Sequence, residues 1–281
     1  AALGAVDFLM WVVTGISTGL TQGFSIQLSQ YYGAKNFENL RKSLAHSYRL
    51  TAFIAVGVFI LSQSFASLIL TGLHTPSNII GMSLLYLRII FCGIPATAAY
   101  NMFASALRAM GNSKTPLTAM IIASVLNVSL DILFVAGFGW GVAGAAIATV
   151  IAQSFSAVYC FLILRRIDIV HLTRADFMPA SGMNARLMKL GIPVVFQNII
   201  IGVGGLVVQY VINGYGFLFV AGFTATNKLY GLLEMAAISY GYAIVTYVGQ
   251  NLGAGKIDRI RKGVRSSMLL SLLTSLIISA A

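Results

Sequence analysis

The sequence predicts an all-α, polytopic membrane protein, and three observations carry that prediction. Of the 281 residues, 58% are hydrophobic and only 9% charged, with a mean hydropathy of +0.87. A soluble domain of this length cannot hide so much apolar surface, whereas a bilayer is a solvent for it. The apolar residues also fall into eight runs, each long enough for the roughly 20 residues that a ~30 Å hydrocarbon core requires. Finally, of the 18 Lys and Arg residues, all but Arg88 and Lys228 lie in or beside alternate connections between these runs. Helices follow rather than open strands, because backbone groups in lipid find partners only within their own segment.

The expected spans are Ala1–Tyr31, Leu44–Leu73, Ser77–Met110, Pro116–Gly137, Val142–Leu164, Leu187–Gly214, Phe217–Leu252 and Ile260–Ala281. Lys35, Arg41, Lys42 and Arg49 surround the first connection, and the next, Gly72–Asn78, has no Lys or Arg. Arg108 and Lys114 flank the third, and Phe138–Gly141 is uncharged. The fifth carries Arg165, Arg166, Arg174, Arg186 and Lys189, the sixth, Asn213–Gly216, is uncharged, and the seventh carries Lys256, Arg259, Arg261, Lys262 and Arg265. This alternation places the basic connections in the cytoplasm and Ala1 on the outer side of an inner membrane. The net charge of +11 is therefore read as membrane topology and not as nucleic-acid binding. Cys92 and Cys160 lie in apolar runs and read as small core residues, with no disulfide or metal framework. Ala1 opens directly into an apolar segment without a basic n-region, so no signal peptide is expected.

The chain repeats itself. Gln30, Gly33, Ala34, Arg41 and Lys42 recur as Gln250, Gly253, Ala254, Arg261 and Lys262, at an offset of 250 − 30 = 220. Both copies end a span and open a basic connection, with Gly-Ala reading as a helix stop. Parallel repeats are a common transporter architecture. The counterpart of Gly191-Ile192-Pro193 falls before Ala1, so one further helix is expected there. The intact protein is expected to have twelve helices in two six-helix lobes. The corresponding organisation is 1–166 for an N-lobe lacking its first helix, 167–186 for a cytoplasmic linker, and 187–281 for the start of a C-lobe.

Polar groups inside the membrane are costly and are functional candidates by default. Asp131 lies in an apolar span, with Asn127 one turn away on the same face. Counting from the turn at Trp140, Asp131 and Thr149 both lie about 13–14 Å deep. Asn127 then matches Gln153, and the four side chains are expected to converge. Their oxygens suit a hard cation such as Na⁺; a buried carboxylate also suits a proton. The plainer reading is polar glue between helices. Glu234 is a candidate for a substrate cavity, with pairing to Lys228 across helices as the alternative. Asp7 is expected to be solvated. Pro95 and Pro193 each follow Gly-Ile and are candidates for helix bending. No enzyme signature is visible, and His46, His74 and His171 are scattered. No cofactor is expected beyond a coupling ion.

The segment Ala106-Leu107-Arg108-Ala109-Met110-Gly111-Asn112-Ser113-Lys114-Thr115-Pro116 resembles a signature of the MATE multidrug exporters. Gly141-Val142-Ala143-Gly144-Ala145-Ala146 and Gly249-Gln250-Asn251-Leu252-Gly253-Ala254-Gly255 resemble two more of that family's motifs. The resemblance covers the chain as helices 2–9 of twelve. It implies two lobes forming a V around a cavity. The implied activity is Na⁺- or H⁺-coupled antiport of amphipathic or cationic compounds by a monomer. Asn127, Asp131 and Thr149 match the cation site of the archaeal and DinF-like branch, whose site also draws on the first helix. Gln197 stands near where the NorM-like branch has a Glu, which favours coupling through Asp131. Arg88 resembles a basic position of the fourth helix, read as structural or bordering the cavity. The alternative is a lipid-linked oligosaccharide flippase of the same superfamily. That reading is disfavoured because the spans offer only Arg88 and Lys228 to a pyrophosphate.

Overall fold

Among the described residues every regular element is a helix. The computed structural model describes residues 2–72, 77–215 and 217–280, with the side chains of 2–12, 69, 72, 77–79, 206, 209, 213, 217–218, 220–221, 224–225, 228–229, 232–233, 235–237 and 280 left aside. The expectations for Asp7, His74, Lys228 and much of the Gly72–Asn78 connection fall outside the described residues and side chains. The helices are α1 (Ala2–Gly33), α2 (Phe37–Gly72), α3 (Ser77–Cys92), α4 (Ile94–Ala109), α5 (Lys114–Asp131), α6 (Gly141–Arg165), α7 (Met183–Asn213), α8 (Phe217–Gly253) and α9 (Ile257–Ala280). They occupy the eight expected spans, with α3 and α4 sharing one.

Two spans depart from simple α-helices. The third bends by 41° between Cys92 and Ile94. Pro95 lies in the first turn of α4, where its missing N–H costs nothing. Gly93 closes the end of α3 with a tight bond to the Ile90 carbonyl (2.8 Å). Pro95 thus starts a helix after a break instead of kinking a continuous one. Pro193, by contrast, lies inside an unbroken α7. The fourth span ends in a π-helical turn, Ile132–Gly137, marked by Phe138 N–H donating to the Leu133 carbonyl (2.9 Å). Among the described residues, four helices are individually long and apolar enough to cross a membrane, and the bent α3–α4 pair makes a fifth. The remaining rods, α1, α8 and α9, each include side chains outside the described set.

The outer surface is apolar, as lipid contact demands. Phe53 is 80% exposed and Ile277 69%. Cys160 is buried as expected, but Cys92 is exposed, at the break, with the Gln63 amide donating to its sulfur. Inside, Phe24, Leu28, Leu40, Leu44, Met102, Leu107 and Leu187 form one core. It joins α1, α2, α4 and α7.

The hub is α1, which packs against α7, α4, α8 and α2. Lipid tails are as apolar as leucine, so helices associate in a bilayer mainly where small residues admit close backbone contact. α1 supplies two such stripes. Gly15, Gly19 and Gly23 face α7. A Cβ on Gly19 would lie 2.9 Å from the Val195 backbone, and one on Gly23 would collide with Gly191. Ser29 and Gly33 face Gly249 and Gly253 of α8.

The two copies of the repeat end identically. Lys35 and Gly255, 220 positions apart, are both left-handed (φ 54° and 69°). Asn36 N–H bonds the Tyr31 carbonyl (3.0 Å) and Lys35 N–H that of Tyr32 (3.1 Å). Lys256 and Gly255 do the same to Asn251 (2.8 Å) and Leu252 (3.0 Å). This is a Schellman stop in duplicate. The helices stop at the Gly-Ala pairs as expected, α1 at Gly33 and α8 at Gly253; the left-handed residue of each stop comes two positions later, and the glycines also serve helix contact.

Residues between α6 and α7 form two 3₁₀ turns, Asp168–Val170 and Arg174–Phe177. Thr173 and Asp176 make a capping box across the second. The segment is strapped to α2. Arg41 lies 3.7 Å from Asp176, Arg49 donates to the Phe177 carbonyl (2.9 Å), and buried His46 engages Met178 O (3.1 Å) and Asn184 Oδ1 (2.7 Å).

Substitution at these glycines checks the packing. Gly23→Leu is expected to destabilise the protein by about 1–3 kcal/mol or more through overpacking. Gly57→Leu, where nothing lies within 4 Å, should leave stability unchanged or slightly raised. Thermal unfolding in detergent measures both.

Candidate functional site

Two polar sites lie on opposite sides of α4. The first lies between α4, α5 and α6, a cavity of about 130 Å³ lined by Tyr100, Ser124, Asn127, Thr149, Gln153 and Ser156 among others. Helical spacing brings these together: Asn127 and Ser124 are one turn apart on α5, as are Thr149, Gln153 and Ser156 on α6. Asn127 Nδ2 approaches Thr149 Oγ1 at 3.5 Å, and Thr149 also bonds back to the Ala145 carbonyl (3.0 Å). The Tyr100 hydroxyl is buried and makes no close hydrogen bond, with the Arg108 guanidinium as its neighbouring charge.

Asp131 lies one turn away from this cavity, at the end of α5, and is not among its lining residues. Its Oδ1 is buried and also lacks a partner. The depth count had set Asp131 opposite Thr149 and Asn127 opposite Gln153. The structure instead sets Asn127 beside Thr149. The π-turn that follows Asp131 immediately holds more residues per turn than an α-helix, and residues 138–140 form the turn itself. The stretch from Asp131 to Trp140 therefore covers less depth than its α-helical count implies.

The second site is a cleft of about 480 Å³ between α1, α7 and α8. Glu234 and Gln197 meet there, with Thr18, Gln22, Asn198 and Tyr242. Glu234 is the sole charged residue among the described lining. Asn198 Nδ2 donates to the Gly15 carbonyl (3.0 Å), which fixes it across the α1–α7 contact. Arg88 is not brought to the cleft. It is exposed on α3, and its carbonyl accepts from Gln63 (2.9 Å).

Adjacent residues of α4 face the two sites. Tyr100 lines the first, while Asn101 Nδ2 donates to Thr18 Oγ1 (3.2 Å) at the edge of the second. Toward the basic end the cleft closes. Arg108 lies over the Tyr242 ring, 5.5 Å from its centroid. Gln250 Nε2 donates to the Ala109 carbonyl (2.8 Å). A Cβ on Gly33 would collide with the Gln250 carbonyl, and one on Gly253 with the Gln30 carbonyl. The repeat thus packs against its own copy, reciprocally. The sequence reading did not single out Tyr100, Asn101 or the Gly15–Gly19–Gly23 stripe. The four-residue glycine spacing was the available signal; nothing local marks Tyr100.

The family model MatE matches residues 1–133 and 193–281. The chain is 31% identical over 262 residues to the probable multidrug resistance protein YpnP of Bacillus subtilis, covering 92% of this chain and 59% of that protein. It is 28% identical over 279 residues to the probable multidrug resistance protein YoeA of the same organism, covering 96% and 60%. The chain thus spans about 60% of the length of these curated relatives. Its fold matches a solved outward-facing multidrug resistance MATE family transporter of the MOP superfamily, with a TM-score of 0.90 at 20% identity over 100% of this chain and 63% of that one. With its repeat, its bent third span and its two polar sites in place, the chain belongs to the MATE family.

Proposed function

We propose that this chain carries the coupling site and part of the substrate cleft of a cation-driven antiporter that exports amphipathic or cationic compounds by alternating access. The observation that carries the reading is Asp131, an intramembrane carboxylate whose Oδ1 has no partner. It lies one turn from the cavity of Asn127, Thr149, Gln153 and Tyr100. A half-buried carboxylate with one oxygen shut off from any partner is costly inside a membrane. Na⁺ among these oxygens, or a proton on Asp131, offsets that cost. The plainer role as interhelical glue explains the Asn127–Thr149 contact but leaves the Tyr100 hydroxyl and Asp131 unused.

On this reading the basic connections face the cytoplasm of an inner membrane, residues 1–166 belong to the N-lobe, 167–186 to the linker and 187–281 to the C-lobe. The cleft between α1, α7 and α8 then lies between lobes. Glu234, with the amides of Gln22, Gln197 and Asn198, suits a cationic substrate. The flippase reading lacks a basic residue among the described cleft lining. The α1–α8 crossing is the cytoplasmic seal, and its opening alternates access.

The first test uses the full-length protein in proteoliposomes under imposed Na⁺ or H⁺ gradients, following an ethidium-like cation. Asp131→Asn should reduce gradient-driven transport by about tenfold or more, as loss of a charged ligand implies. Undiminished transport in the folded variant removes Asp131 from the mechanism. A second test concerns Tyr100→Phe. Deleting an unpartnered buried hydroxyl should leave the melting temperature unchanged or raised, while weakening any stabilisation by the coupling ion. A third concerns the seal: Gly33→Leu should abolish transport, whereas Gly57→Leu, in open surroundings, should not.

A further inference from the structure

A chain of three cavities runs along the outer wall of α2, α4 and α6. The first, about 550 Å³, is lined by Arg49, Leu50, Ala52, Phe53, Val56 and Asn184. It shares Ala52 and Val56 with a second, about 310 Å³, whose wall includes Thr51, Pro95, Met102, Phe103 and Phe161. That one shares Ala99, Phe103 and Phe161 with a third of about 360 Å³, which reaches Val158. The groove is open sideways, since Phe53 is 80% exposed, Val56 51% and Val158 56%.

Its ends differ in chemistry. Toward α6 the walls are nearly all apolar, and the Ser154 hydroxyl there is satisfied by the Val150 carbonyl (2.7 Å). At the basic end stands Arg49. Of the three basic residues on this stretch of α2, Arg41 is paired with Asp176 and Lys42 with Glu38. Arg49 is exposed and has no ion pair among the described residues. Its Nη1 donates to the Phe177 carbonyl (2.9 Å), which holds the guanidinium at the mouth of the groove. Thr51, about 3 Å further along the helix, lines the groove and is 7% exposed. Its hydroxyl has no partner.

We propose that this groove binds an anionic glycerophospholipid of the cytoplasmic leaflet. The phosphate pairs with Arg49, the ester region lies by Thr51, and one acyl chain follows Val56, Met102, Phe103 and Phe161. Charge complementarity selects this occupant: the cytoplasmic leaflet is the anionic one, and basic pockets between helices on that side take acidic headgroups. The proposal rests on the cytoplasmic placement of the basic connections given above.

The test uses the full-length protein with every native tryptophan replaced by phenylalanine, Trp11→Phe and Trp140→Phe among them, and with Phe53→Trp, so that one tryptophan reports from the groove. It is reconstituted in vesicles containing brominated phosphatidylglycerol or brominated phosphatidylcholine at equal mole fraction. Quenching should show about a fivefold preference for phosphatidylglycerol, the ratio that ~1 kcal/mol per basic side chain gives. Arg49→Gln should abolish the preference and Arg49→Lys keep it. Equal quenching by both lipids makes this ordinary lipid contact and overturns the proposal. Absence of quenching by either means that protein covers the groove, which overturns it equally. The readout needs no transport, so failure of the antiport reading would leave it intact.

Discussion

The structure depends on how closely α1 approaches α7 and α8. In water, burial of apolar surface would hold these helices together. In lipid that driving force is nearly absent, and contact must come from dense packing of backbone on backbone. Gly15, Gly19 and Gly23 provide it toward α7, and Gly33 with Gly249 and Gly253 toward α8. A side chain at most of these positions would push apart the walls of the polar cleft. The chain therefore keeps glycine in helix interiors, where it costs about 0.5–1 kcal/mol relative to alanine, because the contact outweighs the propensity.

Everything polar is arranged around that hub. The cleft with Glu234 opens where α1, α7 and α8 diverge, and it closes where the two repeat copies meet. The Asn127–Thr149 cavity lies behind α4, which α1 holds in turn through Thr18 and Asn101. Tyr100 and Asn101 are successive residues, about 100° apart around the helix. The segment between α6 and α7, strapped to α2 by Arg41, His46 and Arg49, extends the same body to the start of α7.

Much of this was legible in the sequence, for identifiable reasons. Span lengths and the alternation of basic connections follow from bilayer thickness and topology, so the eight rods appeared where hydropathy put them. The repeat was legible because its Gln, Gly and Ala positions are fixed by contact and capping. Helical periodicity put Asn127 on one face of α5 and Thr149 with Gln153 on one face of α6, and these faces do share a cavity. What failed depended on backbone detail. A π-turn after Asp131 shifted the depth register. The span does bend beside Pro95, by 41°, but as a break made at Gly93 and not as a kink in a continuous helix. Gly33 does end α1, but its second role in contact with α8 needed the fold to show it. Arg88 could not be placed, since a solitary basic residue in a span gives no direction. Tyr100 carried no sequence signal, because its importance comes from lacking a partner.

The central claim is that the α1–α8 crossing is a seal that opens, and not a fixed joint. Pulsed dipolar spectroscopy tests it most directly, with spin labels on Asn36 and Lys256 of the full-length protein, exposed and equivalent positions just past the two helix ends. The account predicts two distance populations, the short one seen here and a longer one, exchanging weight as the coupling ion or pH is varied. One short distance, unchanged under every ion and substrate condition in a protein that still transports, would contradict it.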